Sequence, residues 1–236
     1  MPAFSYDEAF SRNIGWVTRE EQSLLRDKRV AIVGLGGVGG SHLLTLARLG
    51  IGAFSIADFD VFDLVNFNRQ AGAAMSSLGQ PKTEVMARLA KDINPELDIR
   101  VFPEGIGQNN LSEFFTWAGL YLDGLDFFAS RARGQVFAAC TRRGIPAVTA
   151  APLCMGVAVL NCLPGGMRFE EYLRLDDGPE AEMQLRCLTG LAPARPQMGY
   201  LADPSTIDLV NRKWPSAIMA CQLCAGVTAS HQLGLG

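Results

Sequence analysis

The chain has 236 residues, of which 21 are Lys or Arg and 24 are Asp or Glu, for a formal net charge of -3. With 48% hydrophobic and 19% charged residues it has an ordinary globular composition, enough for one large domain or one domain with an extension. A dedicated nucleic-acid binder carries a basic excess or stripe, and neither is present, so a nucleic-acid partner is not expected.

In chain order, Thr18 and Glu21 form a capping-box pattern that opens a short helix ending near Asp27, within an N-terminal helical arm over 1–28. Residues 29–34 (RVAIVG) are a short β-branched run, followed by a glycine-rich turn and a helix over 41–49. Residues 53–58 (AFSIAD) predict a second strand. Pro81 stands at a favourable first helical position before a helix over 82–93, which Asn94-Pro95 ends. Residues 97–102 alternate apolar and polar and predict a third strand. Asn110 and Glu113 give a second capping-box pattern, opening a helix to about Trp117. A strand over 120–123, a helix over 130–143 and a strand over 146–150 follow.

This alternation predicts a Rossmann-like α/β core over 29–151, a mostly parallel sheet with helices on both faces. The pattern then changes. Residues 156–163 predict a further strand. Residues 164–213, rich in Pro, Gly and charge, predict a functional loop or an interface arm with weak helical pieces over 169–175 and 180–189. An apolar, small-residue helix over 216–233 closes this substrate-side extension, 152–236. The start of the chain lacks a basic segment followed by an apolar run. The longest apolar stretches are broken by Pro152 or too short for a bilayer. A cytoplasmic location without membrane contact is expected.

Gly34-Leu35-Gly36-Gly37-Val38-Gly39 joins the first strand to the first helix. Glycines there let a phosphate approach the backbone, and the helix start offers N–H groups to an anion. Asp58 ends the second strand about 20 residues further on, where a Rossmann unit grips a ribose hydroxyl. A nucleotide is expected, and on this motif alone NAD would be the first guess. Asp58-Phe59-Asp60, then Asn66-Phe67-Asn68-Arg69-Gln70, then Gly79-Gln80-Pro81-Lys82 change that guess. A dinucleotide does not need Arg69 and Lys82 so close to the ribose acid, whereas a triphosphate and its departing pyrophosphate need cations. Asp123 and Asp126 fall at the C-terminal end of the fourth strand, the ligand side of an open parallel sheet, where a carboxylate can hold Mg²⁺.

Taken together, G-x-G-G-x-G, D-x-D, N-x-x-R-Q, the lysine after a Gly-x-Pro turn, N-P and a late D-x-x-x-x-R (Asp126 to Arg131) resemble the ubiquitin-activating-enzyme superfamily. The match covers roughly 12–151. The superfamily's bacterial members include the molybdopterin-synthase and thiamine-biosynthesis adenylyltransferases. The resemblance implies one adenylyltransferase domain over 1–236 that uses ATP and Mg²⁺ to adenylate a carboxylate. The substrate would be the C-terminal glycine of a ubiquitin-like or sulfur-carrier protein or peptide. It implies that Gly34, Gly36, Gly37, Gly39, Asp58, Asp60 and Gln70 bind nucleotide. Asn66, Arg69 and Lys82 would contact phosphates, Asp126 would hold Mg²⁺, and Arg12 would reach into a partner subunit's site, so a homodimer is expected.

Phe127 departs from the pattern, since many relatives have Asn after the acid. Cys187, in the 164–213 stretch, is the candidate for a thioester-forming residue, with Arg186 beside it to favour a thiolate; the other reading is a packing cysteine. Cys221 and Cys224 form only one C-x-x-C pair. Cys154 and Cys162 are too irregularly spaced to complete a tetrathiolate zinc site, so core residues are expected. Three further readings stand beside adenylation for a carrier protein. These are a tRNA-modifying dehydratase of the same superfamily, a non-catalytic partner subunit that binds a ubiquitin-like protein, and an NAD enzyme.

Overall fold

The computed structural model describes residues 3–175, 178–194, 199–208 and 214–233. Parts of the 164–213 stretch therefore lie outside the described residues. A short helix α1 (Tyr6–Ala9) and helix α2 (Arg19–Arg26) precede the sheet. The capping box on α2 forms as the sequence predicts: Glu21 N–H donates to Thr18 Oγ1 at 3.1 Å and Thr18 N–H donates to Glu21 Oε2 at 2.7 Å.

Strands β1 (Arg29–Val33), β2 (Ala53–Ala57), β3 (Asp98–Phe102), β4 (Leu120–Asp123) and β5 (Ala147–Leu153) are parallel. β6 (Gly156–Cys162) returns antiparallel to β5. The strand order is β3-β2-β1-β4-β5-β6, so the chain switches sides between β3 and β4. Ligands bind at that switch, beyond the carboxyl ends of the strands.

Helices α3 (Gly37–Leu49), α4 (Lys82–Ile93) and α9 (Ile218–Leu233) cover one face. Helices α5 (Leu111–Phe114), α6 (Ser130–Arg143), α7 (Phe169–Tyr172) and α8 (Glu180–Leu191) cover the other. The two-residue period of β1 divides the core. Val30 and Ile32 pack with Leu43, Met86 and Ala229, while Ala31 and Val33 pack with Tyr121, Phe137 and Phe169.

Two predicted features differ. Helix α3 starts at Gly37, four residues early, because the glycines that lower helix propensity are themselves its first turn. Asn110 does not cap α5. Its Oδ1 accepts from Gly107 N at 2.8 Å and its Nδ2 donates to Gly105 O at 2.9 Å, tying the preceding loop instead. The helical pieces expected within 164–213 form as α7 and α8, and α8 follows the helix-starting Pro179. Among the described residues no helix is long and apolar enough to cross a membrane.

Candidate functional site

A cavity of about 750 Å³ opens at the carboxyl ends of β1, β2, β4 and β5. Its floor is the turn after β1. Gly34 adopts φ +84°, a left-handed conformation, and a Cβ there would lie 2.2 Å from Gly124 O. Gly39 allows a close crossing, since a Cβ on it would lie 1.7 Å from Gly34 O. Both positions exclude any other residue. Gly34, Gly36 and Gly37 line the cavity, whereas Gly39 lies behind them and serves helix–strand packing. No side chain caps the start of α3, so the N–H groups of its first turn are offered to the cavity.

Asp58 secures this turn. Its Oδ2 accepts from Leu35 N at 2.6 Å and its Oδ1 accepts from Asp60 N at 2.8 Å. Lys82, 5% exposed, donates from Nζ to Asp60 Oδ2 at 3.0 Å. Arg69 is half-buried and donates to Val65 O at 2.8 Å and Asn68 Oδ1 at 3.0 Å. Gln70 is buried, lines the cavity, and its Oε1 has no hydrogen-bond partner. A buried acceptor without a donor costs about 1–3 kcal/mol. The site thus has an unmet polar demand where a ligand would sit.

Asn66 does not join this group. It is buried away from the cavity, and its Oδ1 accepts from Asp63 N at 2.9 Å, closing the 3₁₀ turn before Arg69. Asp126 lines the cavity and is exposed; its Oδ1 accepts from Phe128 N at 3.0 Å, the Asx turn that leads into α6. Arg12 is exposed on the 3₁₀ turn Ser11–Asn13 and does not line the cavity.

Under the floor lies a pair that motif reasoning missed. Asp123 accepts from Arg133 Nε at 2.6 Å, and Arg133 also donates to Leu125 O at 2.7 Å and Asp126 O at 3.0 Å. Both side chains are buried. Burial lowers the Arg133 pKa, the adjacent Asp123 carboxylate raises it, and the net shift is upward, so the guanidinium stays charged. Arg131, which has the family spacing, is exposed instead. The signal for Arg133 was periodicity: it stands on the apolar face of α6 with Val136, Phe137 and Cys140.

Cys187 requires a correction. It sits within α8, is 2% exposed and lines the cavity. Burial pushes its thiol pKa up, with Arg133 pulling the other way. Arg186 does not favour its thiolate, because its guanidinium donates to Glu182 Oε1 at 2.6 Å and to Arg174 O. Cys221 and Cys224 are buried in α9, and Cys221 packs against Gly37. Burial pushes Cys224 up to about 12. Among the described residues no three His, Cys, Asp or Glu side chains cluster.

His42, buried in α3 behind the turn, has its pKa lowered from 6.5 to about 4 by burial, with Asp123 acting in the opposite direction. A folded-state pKa below the unfolded value means that the unfolded chain binds the proton first. Stability is therefore full above pH 6.5 and falls as pH drops toward 4, by about 3 kcal/mol from this group. Urea unfolding of the wild type and His42→Asn across pH 4–7 checks this. The wild type should show the steeper acid loss, and parallel curves would remove His42 as the cause.

A doubly wound sheet, a glycine turn at an uncapped helix start and convergent Lys82, Arg69 and Asp126 define a Rossmann-like protein of nucleotide-binding type. The chain belongs to the ThiF family, which matches residues 10–229, and so to the superfamily of ubiquitin-activating enzymes that its motifs resemble. It is 33% identical over 141 residues to the tRNA threonylcarbamoyladenosine dehydratase of Bacillus subtilis (strain 168), covering 59% of this chain. The chain spans about half the length of that relative, 55%. It is 27% identical to the sulfur carrier protein ThiS adenylyltransferase of Escherichia coli (strain K12), over 83% of this chain and 77% of the relative. Among solved structures, E. coli tRNA N6-threonylcarbamoyladenosine dehydratase, TcdA, in complex with ATP superposes with a TM-score of 0.69 at 23% identity. That match covers 100% of this chain and 96% of that one, a likeness of fold.

Proposed function

We propose that this protein activates a carboxylate with ATP, forming an acyl-adenylate and releasing pyrophosphate. The observation that carries the reading is the pairing of a buried ammonium, Lys82, with an uncapped helix start on one cavity wall. Such an arrangement stabilises anionic charge in a site partly shielded from water. The orphaned Gln70 Oε1 fits a nucleotide that supplies a donor there. Asp58 shapes the turn and faces the ribose. Arg69 and Lys82 hold phosphate oxygens, with Lys82 leaving Asp60 to do so. Asp126 is the residue that would hold Mg²⁺, which neutralises phosphate charge when bound. In the reaction a carboxylate oxygen bonds to the α-phosphorus and the bond from that phosphorus to pyrophosphate breaks. The chain's task is to orient two anions. Its cations favour this reading over a non-catalytic scaffold or an NAD enzyme. Cys187, buried in α8, has no part in this step.

Two substrates remain in play, and the similarity favours the one that the motifs put second. The dehydratase relatives act on a threonylcarbamoyladenosine in tRNA, and loss of water from a carboxylate begins naturally with its adenylation. The adenylyltransferase relative supports a carrier-protein C terminus. The charge of -3 weighs against tRNA, whose binding is dominated by phosphate contacts. ATP–pyrophosphate exchange with tRNA bearing threonylcarbamoyladenosine, and separately with peptides ending in Gly-Gly, tests both. Exchange with neither, in a protein that does not bind ATP by calorimetry, would sink the proposal.

A homodimer belongs to the same proposal. Met219, Leu223 and Val227 form an exposed apolar stripe on α9, while Arg12 stands outside its own cavity. If Arg12 acts across a dimer, mixing inactive Arg12→Ala and Lys82→Ala proteins restores part of the exchange activity. One site of each mixed dimer is then intact. No recovery after subunit exchange would refute action in trans.

A further inference from the structure

The strand order divides the cavity into two halves. Asp58 and residues 105–108 lie at the β2 and β3 ends, on one side of β1. Phe127, Phe128, Pro152, Leu153 and Trp214 lie at the β4 and β5 ends, on the other. A nucleotide with its ribose at Asp58 and its phosphates at the start of α3 places its base on the β3 side, away from Phe127. The second half is left for the molecule that brings the carboxylate.

The chemistry of that half is specific. The Phe127 and Trp214 rings meet with centroids 6.1 Å apart and planes tilted by 37°. Phe127 also meets Phe128 edge-on at 5.2 Å. Phe128 is buried, while Phe127 and Trp214 are half-buried and face the cavity. Prolines 152 and 215 and Leu153 extend this surface. The nearest buried cation, Arg133, is already held by Asp123 and two carbonyl oxygens. Half-buried aromatic faces beside a polar reaction centre suit a flat ring, which can stack there while its polar arm reaches the phosphates. A diglycine tail has no group to cover them.

We propose that Phe127 and Trp214 form the specificity-determining wall of the acyl-substrate half. The carboxylate to be adenylated is then carried beside a flat aromatic or heteroaromatic ring that stacks on them. This rests on the adenylation reading and narrows its substrate class.

The test uses Trp214 as its own reporter. Trp16 and Trp117 are 93% and 82% exposed and outside the cavity, so a Trp16→Phe/Trp117→Phe background leaves a single tryptophan at the site. Three carboxylates are titrated: threonylcarbamoyladenosine as the free nucleoside, benzoylglycine, and glycylglycine. The first two separate a nucleobase from a simple aromatic ring, and the third has no ring. At least one ring-bearing carboxylate is expected to quench Trp214 and to support exchange with a KM about tenfold or more below that of glycylglycine. Phe127→Leu should raise that KM about tenfold and leave the KM for ATP unchanged, and Phe127→Tyr should restore it. Equal use of glycylglycine, or a ring substrate indifferent to Phe127→Leu, overturns the proposal. If none of the three supports exchange, the adenylation reading is decided by ATP calorimetry and the tRNA and peptide assays above, and the quenching titration still decides the wall. Ring-selective quenching weakened by Phe127→Leu supports it, and no quenching by either ring removes it.

Discussion

Lys82→Ala is expected to lower ATP–pyrophosphate exchange by about 10²–10³-fold while the protein stays folded. The reason lies in the asymmetry of its ion pair. Lys82 is almost wholly buried, whereas the side chain of its partner Asp60 is 53% exposed. Removing the ammonium leaves Asp60 able to hydrate, so the cost to stability is small. The cost to chemistry is large, because no other buried ammonium lines the cavity among the described residues. Steady-state exchange assays beside a thermal melt separate the two effects. A variant that melts normally and retains exchange would reduce Lys82 to a structural partner of Asp60.

Arg133→Met has the opposite profile. Asp123 has 1% of its side chain exposed, and without Arg133 its buried carboxylate loses its ion-pair partner. Breaking a buried pair from one side costs about 3–5 kcal/mol, a large share of the stability of a typical domain. The same substitution frees the carbonyls of Leu125 and Asp126 and loosens the turn that presents Asp126. The double variant Asp123→Leu/Arg133→Met should regain much of the stability, since an apolar pair needs no compensation. Urea unfolding of the single and double variants measures this. A mild single variant would show that the pair contributes little to folding.

The sheet was legible because each strand carries its own signal: β-branched runs bounded by turns, helices between them, and an acid at the end of β2. The gathering of the glycines, Asp58, Arg69 and Lys82 around one cavity was legible for a related reason. Glycines, Asp58 and the cations lie close in sequence, so spacing alone brings them together. What escaped depends on distant packing. Asn66 has the right type and spacing for a phosphate contact, yet Asp63 engages it locally. Arg133 was hidden because an arginine on an apolar helix face reads as a surface residue until Asp123 is seen beneath it. Trp214 joins the cavity from a segment with no periodicity that ties it to Phe127. For Cys187 the packing reading holds and Arg186 gives no support to the thioester one, since adjacent residues on a helix point in different directions and Arg186 turns to Glu182.

The antiparallel return of β6 has an effect on the order of assembly. It sends the chain back across the sheet so that α9 packs on α3, Ser216 O accepts from Asn68 Nδ2 at 2.8 Å, and Cys221 closes against Gly37. The glycine turn is made early in synthesis, but its back wall arrives some 180 residues later. A nascent chain that has completed β1 to β5 holds the turn, Arg69 and Lys82 without the surface that braces them. Capacity to grip nucleotide is therefore a late event in folding, reached only when the most distant contacts of the chain have closed.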